Sequence, residues 1–229
     1  MIGIIVIGSL RDPAWDWKLL YRVADKTILE HTIAMAVEVE VAHRIVVCLD
    51  YKDSAQVNGT AFNTAALDRS LIQTDERIKL HFSDKKDWIG KAYDACIKFN
   101  LTSACIISAD AVIIPPWLIK ECIMAHMNGG LPTRTKGYPL GIDVSVLPFH
   151  TIANIYRYRE FKEHQDKYFN DVLWTDICNT NEGPYYIYDG IKDLRFSTKA
   201  EIAMLDAILT DLVSGEDLTD LLKEWNEQK

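Results

Sequence analysis

A chain of 229 residues, 48% of them hydrophobic and 25% charged, can bury a substantial core, and its composition excludes disorder and fibrous architecture. The net charge of −8 excludes a broad electrostatic grip on nucleic acid, because neutralising phosphates needs a concentrated positive face. No stretch reaches the roughly 18 to 20 uninterrupted apolar residues of a membrane helix, so neither nucleic acid nor a membrane is an expected partner.

The opening Met-Ile-Gly-Ile-Ile-Val-Ile has no basic leader and no small-residue cleavage site. Residues 2–7 read instead as a central strand covered on both faces, the usual setting of a continuous Ile/Val run. Ile28, Leu29, Ile33 and Val37 fall at helical spacing in 27–39, and 44–49 returns to strand character, which makes one βαβ unit. A polar stretch at 58–63 leads to a helix at 64–74 and a strand at 78–82. Trp88, Ala92, Ala95, Cys96 and Phe99 place one apolar face on a helix over 87–100, and 103–108 is another buried strand. Pro115-Pro116 opens a helix over 117–127 and Gly129-Gly130 closes it. Beyond that, 142–147 alternates as a strand, 151–170 is a charged helix, 185–188 and 194–196 are short strands, and 199–225 is helical. Alternating strands and helices without an internal repeat predict a single α/β domain over 1–229, with a mainly parallel twisted sheet flanked by helices.

Cys48, Cys96, Cys105, Cys122 and Cys178 are odd in number and form no C-x-x-C pair, which fits reduced thiols packed as small core residues in a cytoplasmic protein. His31, His43, His81, His126, His150 and His164 show no metal-ligand spacing. Trp15, Trp17 and Tyr138 have the chemistry to stack on a base or sugar, and equally to pack in a core or lid.

Ligands of open α/β sheets bind beyond the carboxyl ends of the strands. Two segments leave such ends: residues 8–18 after the first strand, and Ser108-Ala109-Asp110 after the fourth. A carboxylate just past a buried strand is placed to hold Mg²⁺ against substrate phosphates, which makes Asp110 a metal-ligand candidate; the competing role is N-cap of the helix after Pro115. Lys18 has the charge to meet phosphate, or else faces solvent. Arg134 and Lys136 lie beside Gly141 and Asp143, where they meet a substrate's carboxylate or phosphate or remain exposed loop charges.

Several strings resemble the cytidylyltransferases of surface-polysaccharide synthesis, among them the spore-coat, acylneuraminate and KDO-activating enzymes. Lys18-Leu19-Leu20 followed by residues 23–31 is similar to the family's lysine-bearing loop and its "GKPLLEH" helix start. Residues 87–95 resemble "DVLGRYYEA", Ser108-Ala109-Asp110 resembles the "TAD" metal motif, residues 138–144 resemble "FPRGLDV", and residues 195–201 resemble "RLTVDTPED". The resemblance implies a GT-A or nucleotide-diphospho-sugar transferase fold of Rossmann-like type, and an enzyme that joins a nucleoside triphosphate, CTP, to a sugar or sugar acid with release of pyrophosphate. It implies catalysis by Lys18 and Asp110, and nucleotide binding by Gly8, Ser9, Arg11, Lys18, Asp87 and Ser108. It implies sugar binding by the loop with Tyr138, Gly141 and Asp143, beside which Arg134 and Lys136 are expected to act, Mg²⁺ on Asp110, with Glu201 the candidate second ligand, and homodimerisation through an arm over 151–190.

The chain departs from this pattern where the family's Gly- and Ser-rich first loop is replaced by Trp15, Asp16 and Trp17, and where the family's second metal aspartate is missing near Lys199. Glu201 or Asp143 takes over that aspartate's place, Lys199 supplies positive charge instead, or the metal site is incomplete. Two other functions therefore stand beside the first: a glycosyltransferase using a nucleotide-sugar donor, and a non-catalytic binding homologue.

Overall fold

Strand β1, Ile2–Ile7, is buried at every position, as an unbroken aliphatic run between two helical layers demands. In the computed structural model, which describes residues 1–10, 18–23, 26–53, 75–136, 142–160 and 181–185, it lies inside a seven-stranded sheet. A 3-10 turn at Lys18–Leu20 precedes a small antiparallel hairpin, β2 (Arg22–Val23) and β3 (Lys26–Thr27). Then come α1 (Ile28–Val37), β4 (Arg44–Asp50), β5 (Ile78–Ser83), α2 (Trp88–Phe99), β6 (Ser103–Ser108) and α3 (Pro116–Gly129). The described chain continues through β7 (Thr133–Lys136), β8 (Ser145–Pro148), α4 (Phe149–Glu160) and β9 (Asn181–Tyr185).

The strand order is β5-β4-β1-β6-β8-β7-β9. β5, β4, β1 and β6 run parallel, β8 is antiparallel to β6, and β7 turns back to lie antiparallel to β8 and parallel to β9. Ile4 and Val6 of β1 face one core with Ile28, Leu29 and Ile33 of α1 and Leu118, Ile119 and Cys122 of α3. Ile5 and Ile7 face the other, with Ile89, Ala92 and Cys96 of α2 and Ile152 and Ile155 of α4. The architecture is thus the mainly parallel, helix-flanked sheet expected from the alternating pattern.

Local chemistry sets the element ends. Thr27 is the N-cap of α1: its hydroxyl accepts from the Glu30 N–H at 3.2 Å, and the Glu30 carboxylate accepts from the Thr27 N–H at 2.7 Å, which closes a capping box. Just past the other end of α1, Arg77 donates to the carbonyls of Val37, Val39 and Ala42 at 2.6–3.1 Å, and Asp75 holds its guanidinium from below. Asn100 and Gly130, both in the left-handed region with φ of 53° and 67°, end α2 and α3.

Four details differ from the sequence-based expectations. β7 and the β2–β3 hairpin are extra strands; at four and two residues they are too short to show a period. β8 begins at Ser145 rather than 142, because the Val144 N–H is taken by the Thr135 hydroxyl at 3.0 Å before the ladder begins. Trp88, expected on the apolar face of α2, is 40% exposed, and Ile89 takes its place in the core. β9, Asn181–Tyr185, is a further strand the pattern did not predict, and of the strand expected at 185–188 only Tyr185 is described. The helices expected at 64–74 and 199–225, the strand at 194–196 and most of the arm over 151–190 lie outside the described residues.

Candidate functional site

From β1 the chain passes through α1 to β4 on one side, and from β5 through α2 to β6 on the other side of β1. Such a reversal marks the ligand-binding end of an open α/β sheet, here beyond the carboxyl ends of β1 and β6. Gly8 leaves one strand, and Ser108-Ala109-Asp110 leaves the other. The Ala109 N–H donates to Ile7 O at 2.8 Å, the Ala109 carbonyl accepts from the Thr32 hydroxyl at 2.9 Å, and the Ala111 N–H closes a turn on Ser108 O at 3.2 Å. Asp110 therefore stands on a backbone tied to both β1 and α1.

Here Lys18 meets Asp110. Its Nζ lies 2.6 Å from Asp110 Oδ2, with the lysine side chain 6% exposed and the carboxylate 22% exposed. The Ser108 hydroxyl donates to the other carboxylate oxygen, Oδ1. Lys18 is thus no solvent-facing charge, because its neighbour Leu19 is drawn into the core and carries the short helical turn inward. Nor is Asp110 an N-cap: α3 is capped by Pro115, without a side-chain hydrogen bond. An ammonium has three N–H donors, and Asp110 takes the only one with an acceptor among the described residues.

A second Lys–Asp pair, not anticipated from the sequence, stands on the opposite flank of β1. Lys91, in the first turns of α2, reaches Asp50 Oδ1 at 2.6 Å and donates to the Gly8 carbonyl at 3.1 Å. Nearby, Asp53 accepts the Leu10 N–H at 2.9 Å; burial is the main cause of a pKa raised above the ordinary carboxylate value, with the Leu10 bond opposing it. The sequence held one signal for Lys91: it sits on the same helical stripe as Ala92, Ala95 and Cys96, where a lysine is costly unless paired.

Gly8 is needed for space. A Cβ there would lie 2.6 Å from the Ala109 Cβ and 2.7 Å from Leu19 Cδ1, and its N–H is already spent on the Cys48 carbonyl at 3.1 Å. Ser9 follows, half-buried, at the strand exit. Asp87, which the resemblance assigns to nucleotide binding, is the N-cap of α2 and accepts the Gly90 N–H at 2.7 Å. Arg134 pairs with Ser145 across β7 and β8, while Ser145 pairs with Ile106 of β6. That register carries Arg134, Lys136 and the approach through Asp143 toward the edge where Ser108 and Asp110 emerge. Arg11, Tyr138, Gly141 and Glu201 lie outside the described residues.

Among the described residues no group of three His, Cys, Asp or Glu side chains gathers to hold a metal. Mg²⁺ commonly takes one or two protein carboxylates and completes its shell with phosphate oxygens and water. Asp110, a partly exposed hard-oxygen donor at a strand end, fits a one-carboxylate site in which the cation competes with Lys18 for Oδ2. The described cysteines, all buried, offer no alternative chemistry. Burial pushes the Cys48 and Cys96 thiols up to about 12, which keeps them protonated and unreactive. His81 and His126 are buried and bonded, to Asp94 at 2.8 Å and to Ser103 at 2.9 Å respectively.

No protein-family model matches the chain, and no curated protein matches it in sequence. Solved structures do match its shape. A cytidylyltransferase from Leptospira borgpetersenii is 14% identical, with a TM-score of 0.76 over 99% of this chain and 94% of that one. The fold is that of the cytidylyltransferases. A CMP:2-keto-3-deoxy-manno-octonic acid synthetase in complex with CTP is 11% identical, with a TM-score of 0.66 over 92% of this chain and 98% of its own. A 4-diphosphocytidyl-2C-methyl-D-erythritol synthase from Anaerococcus prevotii is 12% identical, with a TM-score of 0.66 over 91% and 98%. All three are covered almost end to end, so the likeness in fold runs along the chain rather than over one part of it. No helix among the described residues is long and apolar enough to cross a membrane.

Proposed function

We propose that this chain is a nucleotidyltransferase that joins a nucleoside triphosphate, CTP by analogy with its structural neighbours, to a sugar or sugar acid. The observation that carries the reading is the Lys18–Asp110 pair, closed at 2.6 Å at the switch point of a cytidylyltransferase fold. The pair joins a buried cation to a carboxylate at the strand ends where such sheets take nucleotides.

In this reading the sugar's oxygen attacks the α-phosphorus, the bond to the β-phosphate breaks, and pyrophosphate leaves with the electron pair. Lys18 offsets the charge that builds on the departing group, and the rigid β6 exit fixes where that charge develops. Asp110 would hold Mg²⁺, which when bound adds a second positive centre for the phosphates. Arg134, Lys136 and Asp143, brought to the same edge by the β6-β8-β7 register, would face the sugar.

A second reading has its own support. Both Asp110 oxygens are engaged by Lys18 and Ser108, and no second carboxylate is described beside them, which suits a binding protein that no longer catalyses. Incubation with Mg²⁺, each of the four nucleoside triphosphates and a panel of sugars separates the two by pyrophosphate release. Release with one triphosphate, abolished in Asp110→Asn, is the expected result; tight binding without release selects the binding protein, and transfer from a nucleotide-sugar donor selects a glycosyltransferase.

A further inference from the structure

Lys18 and Lys91 flank a single residue. The Gly8 carbonyl accepts from Lys91, while the space beside the Gly8 Cα is filled by Ala109 and Leu19, the chain neighbours of Asp110 and Lys18. Both lysines are only 5% exposed, and each holds an aspartate at 2.6 Å at the end of a strand next to β1, Asp110 after β6 and Asp50 at the end of β4. The exit of the central strand therefore lies between two buried ammonium groups.

Burying an ion pair costs several kcal/mol per ion, and well-packed apolar residues often serve stability as well or better. Two such pairs at one strand end are a poor way to hold a sheet already paired along β1. They suit a polyanion. The Asp50 side chain is 31% exposed while that of Lys91 is 6% exposed and anchored on the Gly8 carbonyl, so the carboxylate can turn to water and leave the ammonium in place. Of its three N–H donors, Asp50 and Gly8 take two among the described residues.

We infer that Lys91 is a second phosphate-binding cation of the site, held at rest by Asp50. The inference rests on the triphosphate reading of the Lys18 pair and adds to it: a triphosphate carries more negative charge than one lysine offsets, and Lys91 supplies the balance from the opposite flank of Gly8. On binding, phosphate oxygens take the place of the Asp50 carboxylate; no covalent bond changes.

Calorimetric titration tests this with the tightest-binding of ATP, CTP, GTP and UTP and with its own monophosphate. In Lys91→Met the preference for triphosphate over monophosphate should fall by about tenfold or more, the scale of a lost charge-assisted hydrogen bond. Asp50→Asn should act in the opposite direction, leaving triphosphate binding as tight as in the wild type or tighter, because the resting competitor is gone. A merely structural pair would weaken binding in both variants alike, and that parallel loss overturns the inference. So does an unchanged preference in Lys91→Met. Should that variant fail to unfold cooperatively, the Asp50→Asn titration decides by itself. A wild type with no preference for any triphosphate sinks the reading of the Lys18 site, and this one with it.

Discussion

Replacing Gly8 by alanine puts one methyl group into the tightest point of the site. The new Cβ would stand 2.6 Å from the Ala109 Cβ and 2.7 Å from Leu19 Cδ1, about 1 Å inside the 3.5–4.0 Å at which carbon atoms attract. Leu19 Cδ1 is the end of a rotatable side chain, but Ala109 Cβ is one bond from a backbone fixed on Ile7 O and Thr32. Relief therefore requires parting the exits of β1 and β6. Overpacking of this kind costs typically about 1–3 kcal/mol. At about 2 kcal/mol a chain of this length loses about 4–8 °C in Tm. Urea denaturation followed by far-ultraviolet circular dichroism measures it, with Ala109→Gly as the partner variant. Glycine at 109 removes the nearer obstacle, so the double variant should be more stable than the sum of the two single effects predicts. A Gly8→Ala protein within about 0.5 kcal/mol of wild type, or strict additivity with Ala109→Gly, refutes the steric reasoning.

Other consequences are open to the same measurements. Arg77→Lys gives up the fork that holds three carbonyls at the end of α1 and the bidentate contact to Asp75, an expected loss of about 1.5–3 kcal/mol by urea denaturation. The hydrogen bond from Arg77 holds the Asp75 carboxyl below the ordinary value, so its contribution is complete above about pH 4 and disappears as acid passes the lowered folded pKa. The stability gap between wild type and Asp75→Asn should close on that path. Asp53 has the opposite sign: its raised pKa means the buried carboxylate costs stability at neutral pH and nothing once protonated in both states. Asp53→Asn keeps an acceptor for the Leu10 N–H, so it should match or exceed wild-type stability at pH 7, with any advantage vanishing below about pH 4. Thr27→Ala opens the α1 capping box and should cost about 1 kcal/mol in the same assay.

Local pattern determined much of this protein. The Ile/Val run of β1, the strand at β6, the Pro-Pro opening and Gly-Gly closing of α3, and the alternation of strands and helices all follow from a few adjacent residues and their periods. These are properties of one segment at a time, and they suffice for the α/β class and for placing Asp110 at a strand end. Partnership was beyond their reach. Lys18 and Asp110 are 92 positions apart, and Lys91 and Gly8 are 83 apart, so no window of sequence contains either contact. Whether Lys18 faced water or a buried carboxylate, and whether Asp110 capped a helix or paired with a lysine, depended on which strands became neighbours of β1. The sheet order decided both, by setting β4 and β6 on either side of one strand and bringing a lysine to each of their terminal carboxylates.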